Sequence, residues 1–328
     1  MTVKNPSIAV IGCGYWGKNI VRNFSILNEL RMVCDPFPAN AKAMSEQFDV
    51  PAVDFEAILN DPMVKGVAIA APAPLHFDLA SKVIMSGKHV FVEKPITLEI
   101  EEAKELIRLA KEHDRLLMVG HLLNYHPAFL KVCSLVQSGE IGAVQRIYSN
   151  RLSFGKVRTE ENVLWSFAPH DISMILRLAG GVAPVDVSAH GGSYVSAGID
   201  DFATVNMAFE NGVTAHIFVS WLHPFKEQRL VVTGSKGAIV FDDTVGHADK
   251  VKLYRSSAVI ENGQPKLEKS EAIVVEYEQG EPLRNECQAF LDGMMDRANV
   301  YTDGAEGLRV LDVLSRAETS MRMHSKLK

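Results

Sequence analysis

Short apolar runs recur through the first third of the chain, each followed by a glycine- or proline-rich junction and then a segment with helical periodicity. Residues 7–11, 31–35, 64–70, 89–92 and 116–120 read as strands. His89-Val90-Phe91-Val92 shows no polar alternation after His89, which suits a strand covered on both faces of a parallel sheet. Between the runs lie helical patterns. In the clearest, residues 99–113, Ala103, Leu106, Ile107 and Ala110 fall at i, i+3, i+4 and i+7. Strand–helix alternation at this rhythm predicts right-handed crossovers and a doubly wound parallel sheet.

After about His121 the pattern changes. Helices are predicted over 127–137 and 170–178, with a strand of alternating sides over 145–153 between them. Strands then come in succession over 185–190, 201–209, 213–221, 229–233, 238–241, 251–254 and 272–277. Asn211-Gly212 reads as a hairpin turn, and Gly234-Ser235-Lys236-Gly237 joins another pair. Two helices, 282–297 and 304–323, finish the chain. The pattern predicts an α/β doubly wound domain over residues 1–121 and an α+β domain over 122–328 with a large, mainly antiparallel, open-faced sheet. The last helix is expected to pack back on the first domain. A sheet with one uncovered face predicts a homodimer or homotetramer formed through that face.

The length of 328 residues fits two domains, and 47% hydrophobic with 23% charged residues is ordinary for a soluble globular chain. A net charge of −6 gives no electrostatic support to nucleic-acid binding. No apolar run reaches eighteen residues, so no membrane span is expected, and a strand by Ile8 leaves no room for a signal peptide. Cys13, Cys34, Cys133 and Cys287 are scattered without a Cys-x-x-Cys pair and read as reduced thiols of a cytoplasmic protein. The histidines show no metal-ligand spacing, and no metal is expected.

The chemistry begins at the first strand's end. Gly12-Cys13-Gly14-Tyr15-Trp16-Gly17 is Gly-x-Gly-x-x-Gly between a strand and a helix. Gly12 permits the tight turn, Gly14 lets a pyrophosphate reach the backbone, and Gly17 lets the helix pack on the strand. The helix N–H groups and dipole then bind phosphate. Asp35 stands 18 residues after Gly17, near the spacing of an acid that takes both ribose hydroxyls and repels a 2′-phosphate, which favours NAD over NADP. A turn aspartate ahead of Pro36 is the other reading. Tyr15 and Trp16 of the turn, with Ala71, Pro72, His76, Glu93 and Lys94 at strand ends, complete the expected cofactor set. For His76 a capping role is the alternative.

Gly12-x-Gly14-x-x-Gly17, Glu93-Lys94-Pro95 and Pro169-His170-Asp171-Ile172 in that order resemble the glucose–fructose oxidoreductase/inositol dehydrogenase (Gfo/Idh/MocA) family over nearly the whole chain. The resemblance implies an NAD(P)-dependent oxidoreductase of sugars or cyclitols, with Lys94 and His170 near the nicotinamide and the reacting carbon. It also implies a cis Lys94–Pro95 bond. The run Arg158-Thr159-Glu160-Glu161-Asn162-Val163-Leu164-Trp165 is similar to the branch that oxidises the 3-hydroxyl of UDP-N-acetylglucosamine-type sugars or their uronates for later transamination. A free sugar, cyclitol or TDP-deoxysugar is the alternative substrate, and a non-catalytic dinucleotide sensor the alternative class. Ser166 and Asn124 depart from the family, many of whose members carry an aspartate and an arginine there.

Oxidising a secondary alcohol needs a base for the hydroxyl proton, and the candidates are Lys94 and His170. An imidazole titrates near neutral pH, which favours His170 as acceptor. Lys94 is expected to hydrogen-bond or deprotonate the substrate oxygen, with a strand-end ion pair to Glu93 as the bland alternative. His121, Asn124 and Tyr125, at the last strand's end, are expected to line the sugar pocket. Arg151 and Arg158 are candidates for a substrate pyrophosphate or else solvated surface arginines. Trp165 is either a stacking platform or a buried anchor. Asp171 is either a substrate contact or a first-turn acid of a helix that opens at His170.

Overall fold

Residues 6–296 and 300–325 are described by the computed structural model of the chain. Five short, apolar strands form one fully parallel sheet: β1 (Ile8–Ile11), β2 (Leu30–Cys34), β3 (Gly66–Ile69), β4 (His89–Glu93) and β5 (Leu117–Gly120). Their order is β2-β1-β3-β4-β5. β1, β3 and β4 are buried along their whole length, which is why their sequences show no polar alternation. The connections carry α1 (Gly17–Ile26), α2 (Pro38–Phe48), α3 (Phe55–Asn60), α4 (His76–Met85) and α5 (Ile100–Glu112). This is the predicted doubly wound α/β architecture.

The second architecture is α+β, again as predicted. It comprises α6 (Pro127–Gln137), β6 (Val144–Phe154), α7 (Val163–Leu178), β7 (Asp186–Gly192), β8 (Phe202–Ala208), β9 (Thr214–Ser220), β10 (Leu222–Gly234), β11 (Gly237–Asp242) and β12 (Val251–Tyr254). A hairpin of β13 (Ser257–Glu261) and β14 (Gln264–Glu268) stands apart, and β15 (Ile273–Val274) returns to the edge of the main sheet. That sheet runs β15-β12-β11-β10-β6-β9-β8-β7 and is antiparallel except for the parallel pair β6 and β9. Alternation sets its faces: Ala203, Val205, Ala215, Ile217 and Val219 are buried, while Asn206 and Thr214 point the other way and are exposed. Asn211-Gly212 turns between β8 and β9, with Gly212 at φ +85°.

Several elements differ from the sequence expectation: the β13–β14 hairpin was not expected, and β10 starts at Leu222, ahead of the predicted 229. α7 begins at Val163 and not at His170: Asn162 caps it, its side chain accepting from the Trp165 N–H at 3.2 Å. Pro169 therefore lies inside the helix. The predicted strand over 272–277 contracts to Ile273–Val274.

α8 (Pro282–Met295) and α9 (Gly304–Ser325) complete the chain. Residue 297, the predicted end of the first of these helices, lies outside the described residues. By contacts the chain forms two units, Met1–Tyr125 with Gly280–Leu311, and His126–Gln279 with Asp312–Lys328. The return of Gly280–Leu311 to the first unit differs from a boundary that keeps 122–328 together. Its cause is apolar: Leu283, Cys287 and Phe290 of α8 join Phe24 of α1 and Phe91 of β4 in one buried cluster, with Phe290 5.9 Å from Phe91 and 6.3 Å from Phe24, centroid to centroid. Among the described residues no helix is long and apolar enough to cross a membrane, and all four cysteines are unpaired thiols.

Candidate functional site

Because the five strands of the first unit are parallel, their carboxyl ends lie on one edge of the sheet, where open α/β sheets bind ligands. The strand order reverses direction between β1 and β3, and the glycine turn sits at that point. Gly12 has φ +90°, and a Cβ on it would stand 2.6 Å from the Ala70 carbonyl oxygen. A Cβ on Gly17 would lie 1.8 Å from the Gly12 carbonyl oxygen, whereas one on Gly14 would meet nothing within 4 Å. The turn is thus closed on its inner side and open at Gly14, a cradle that fits a pyrophosphate. Trp16, at the N-cap of α1, makes no side-chain cap bond and the first turn carries no acid, so the positive end of the helix is left available to an anion.

Asp35 follows β2 and ties the same turn. Its Oδ2 accepts the Cys13 N–H at 2.6 Å, and its Oδ1 accepts the Phe37 N–H at 2.8 Å. The carboxylate therefore caps the Pro36 turn and braces the glycine turn at once. Burial, then the charge of Asp35 and the neighbouring Cys34, push the Cys13 thiol up to about 12, so it is an inert member of the loop.

At the end of β4 the Glu93 carboxyl is nearly buried. Trp16 of the glycine turn donates its indole N–H to Glu93 Oε1 at 2.5 Å, and the Lys94 N–H donates to Oε2 at 3.3 Å. A Cβ on Gly120 would come within 3.0 Å of this carboxyl, which accounts for a glycine at the end of β5. Burial raises the Glu93 pKa, and the Trp16 hydrogen bond and the Lys94 charge oppose that rise. The Lys94–Pro95 peptide bond is cis. His76 is 1% exposed. Its Nδ1 lies 2.7 Å from the Pro95 carbonyl oxygen and its Nε2 2.9 Å from that of Ala71. Burial lowers the imidazole pKa, so the neutral ring donates to one of the two carbonyls. His76 therefore holds the loop after β3 against the Pro95 turn, a positioning role.

His121, Asn124 and Tyr125 are buried in the first unit. His121 Nδ1 is 2.7 Å from Glu306 Oε2 of α9, and the Tyr125 hydroxyl is 3.0 Å from Thr302 Oγ1. These side chains tie the end of β5 to the returning C-terminal segment. Sequence reasoning missed both partners, although Glu306 falls four before Val310 on the apolar stripe of α9.

In the second unit β6 and α7 share a polar contact. The Arg151 Nε–H donates to Asp171 Oδ2 at 2.6 Å and its Nη2–H to Oδ1 at 3.2 Å, while the Ser149 hydroxyl donates to Oδ1 at 2.6 Å. Asp171 is 1% exposed. It lies in the third turn of α7 and is not a first-turn acid, and its carboxylate is committed to Arg151 and Ser149. Arg151 is correspondingly committed to Asp171. Arg158 pairs with Glu161 at 2.6 Å. His170 and Trp165 are both partly exposed on α7. A separate, half-buried pair that the sequence reading missed is His126 with Asp243, 3.4 Å apart, with Lys250 also on Asp243.

A doubly wound sheet with an open glycine cradle at its switch point and an acid at the end of β2 defines a dinucleotide-binding unit of the kind that serves hydride transfer. Two family models match the chain: "Oxidoreductase family, NAD-binding Rossmann fold" over residues 7–121, and "GFO/IDH/MocA C-terminal domain" over residues 129–240. The chain belongs to the Gfo/Idh/MocA family of oxidoreductases, and its cofactor is NAD. It is 31% identical over 310 residues to UDP-N-acetylglucosamine 3-dehydrogenase of Acidithiobacillus ferrooxidans, covering 92% of this chain and 93% of that one. It is 25% identical over 334 residues to inositol 2-dehydrogenase of Rhizobium meliloti, covering 98% and 97%. A solved structure of the Acidithiobacillus enzyme superposes with a TM-score of 0.85 at 26% identity, covering 97% of each chain.

Proposed function

We propose that this oxidoreductase acts on a sugar-like substrate, and within that class oxidises a secondary hydroxyl, at C3, of a nucleotide-linked amino sugar such as UDP-N-acetylglucosamine or its uronate. The observation that carries the reading is the likeness to the Acidithiobacillus 3-dehydrogenase over nine-tenths of both chains. The keto sugar so formed is a substrate for transamination. A cyclitol is the second reading, favoured by the full-length likeness to the Rhizobium enzyme.

When bound, NAD supplies the hydride acceptor. The chain's own residues do the rest. The cradle at Gly12, Gly14 and Gly17 and the α1 N-terminus hold the pyrophosphate, and Asp35 takes the ribose hydroxyls. Lys94 hydrogen-bonds the reacting oxygen, and its ammonium steadies the alkoxide that develops there. His170 accepts the hydroxyl proton. Both arginines pair with a carboxylate, but Arg151 is held in a buried pair with Asp171 while Arg158 beside Glu161 is far more exposed, so Arg158 is the arginine proposed for a substrate phosphate.

The test is reduced-cofactor absorbance with NAD and a panel of UDP-N-acetylglucosamine, its uronate, inositol and glucose. Turnover of inositol or glucose with silence on both nucleotide sugars would sink the leading reading, and silence on all would favour a sensor. Lys94→Ala is expected to abolish turnover with NAD affinity within about threefold, roughly 0.65 kcal/mol. A larger loss of NAD binding would make Lys94 a cofactor anchor.

A further inference from the structure

We propose that Glu286 is a positioning residue that, with Glu93, forms a buried carboxyl pair holding one proton at neutral pH, so that a single negative charge stands beside Lys94. Glu286 projects from α8 into the core of the first unit and is fully buried. Neither of its side-chain oxygens has a hydrogen-bond partner among the described residues. An ionised carboxylate there would be cut off from bulk solvent with no protein donor among the described residues to replace its hydration. The charge that reaches it is that of Glu93, of the same sign. Glu93 is the opposite case, with the Trp16 indole and the Lys94 N–H on its two oxygens and the charges of Lys94 and His121 facing it. The ionised form therefore belongs on Glu93 and the proton on Glu286.

The other titratable groups around the pair do not supply a cation to Glu286. Cys287, on the same helix, and Tyr125, before α6, feel its charge as repulsive, and both are themselves raised by burial first. Glu281, at the start of α8, and Glu306 of α9, paired with His121, are further acids acting on Cys287 and Tyr125 respectively. Ionising Glu286 would place a second negative charge behind Glu93. That charge would pull on the Trp16 hydrogen bond and tighten the hold of the pair on the Lys94 ammonium. This role rests on the reading of Lys94 as the group that meets the reacting oxygen.

The test titrates the full-length protein by infrared absorption of carboxylic C=O groups, comparing wild type with Glu286→Gln and Glu93→Gln. A carboxylic acid band should survive in the wild type at pH 7, above the range in which solvated carboxyls have lost theirs. It should be absent in Glu286→Gln. In Glu93→Gln it should persist but titrate at lower pH, because the like charge is gone while burial remains. No band at pH 7, or a band unchanged in Glu286→Gln, would overturn the proposal. A measurement on the wild type alone guards against a variant that misfolds. An acid whose folded pKa is raised binds more protons folded than unfolded, so its contribution to stability falls as pH rises above the ordinary glutamate range. Urea unfolding should show this fall, and Glu286→Gln should flatten it. An equal slope in both proteins would count against the pair. None of these readouts uses a substrate, so failure of the sugar panel with a confirmed band would reject the enzyme reading and leave the carboxyl pair standing. With an active substrate, Glu286→Gln should extend the kcat plateau to higher pH, and an unmoved alkaline limb would remove the link to Lys94.

Discussion

Asp171→Ala is the perturbation whose size the structure fixes best. The carboxylate is 1% exposed and accepts three hydrogen bonds, from Ser149 at 2.6 Å and from the Arg151 fork at 2.6 and 3.2 Å. The Arg151 side chain is only 12% exposed, so deleting its partner leaves a guanidinium in a site that water reaches poorly. Removing one member of a buried ion pair costs about 3–5 kcal/mol, most of it the stranded charge and not the lost attraction. Asp171→Ala should therefore lower the stability of the second unit by that amount in urea unfolding followed by circular dichroism. Arg151→Met combined with Asp171→Leu removes both charges and should recover most of the loss, leaving about 1 kcal/mol for the Ser149 hydroxyl. NAD affinity should stay within about twofold, roughly 0.4 kcal/mol, because the cradle belongs to the first unit. A cost below about 1 kcal/mol for Asp171→Ala would refute the reasoning, as that is the value of a solvent-exposed pair. So would a double variant as unstable as the single one.

Gly17→Ala forces a Cβ to 1.8 Å from a backbone oxygen of the same turn, so the turn must move, and NAD affinity should fall more than about tenfold, roughly 1.4 kcal/mol. Calorimetry showing unaltered affinity would deny the turn its role. Asp35→Ala should lower affinity for both dinucleotides, since the Cys13 N–H loses its acceptor, and relax the preference for NAD over NADP. An unchanged ratio would mean that the ribose is read elsewhere. For Asp243, burial raises the carboxyl but the hydrogen bonds from His126 and Lys250 outweigh it and hold the pKa down at about 2. A depressed acid stabilises above its unfolded pKa, so about 2 kcal/mol should be lost as pH falls from roughly 4 to 2. Asp243→Asn should show a shallower acid limb in thermal melts, and an identical limb would place the acid sensitivity in other carboxylates.

The legible parts of the molecule were those where local pattern and tertiary burial agree. β1, β3 and β4 are buried on both faces, so unbroken apolar runs announced them, and the glycine turn announced itself because its spacing is dictated by a clash with the backbone at Gly17. The start of α7 was misplaced because Pro169 looks like a first-turn residue. The true signal was Asn162, an N-cap seven residues earlier, with a helix buried nearly all round and hence without a polar face to mark its period. The β13–β14 hairpin was missed although Asn262-Gly263, both at positive φ, is a hairpin turn in plain sight. Its strands are exposed, so no apolar alternation drew attention to them.

The site itself was legible as a set of residues but not as a set of contacts. Trp16 and Glu93 are 77 positions apart, and nothing in either neighbourhood says that the indole of the glycine turn will bond the acid before Lys94. That bond makes the turn and the end of β4 one object: a change at the dinucleotide loop is felt at Lys94 through a single buried carboxyl. The same holds for Glu286. Its spacing from Leu283, Cys287 and Phe290 puts it on the core stripe of α8, where a charged residue conflicts with its surroundings unless it is neutral or paired. A glutamate on an apolar stripe was therefore the sequence signal for a buried carboxyl that is neutral or paired. What the sequence could not supply was its neighbour, because α8 returns to the first unit across more than 150 intervening residues, and only the fold brings it to Glu93.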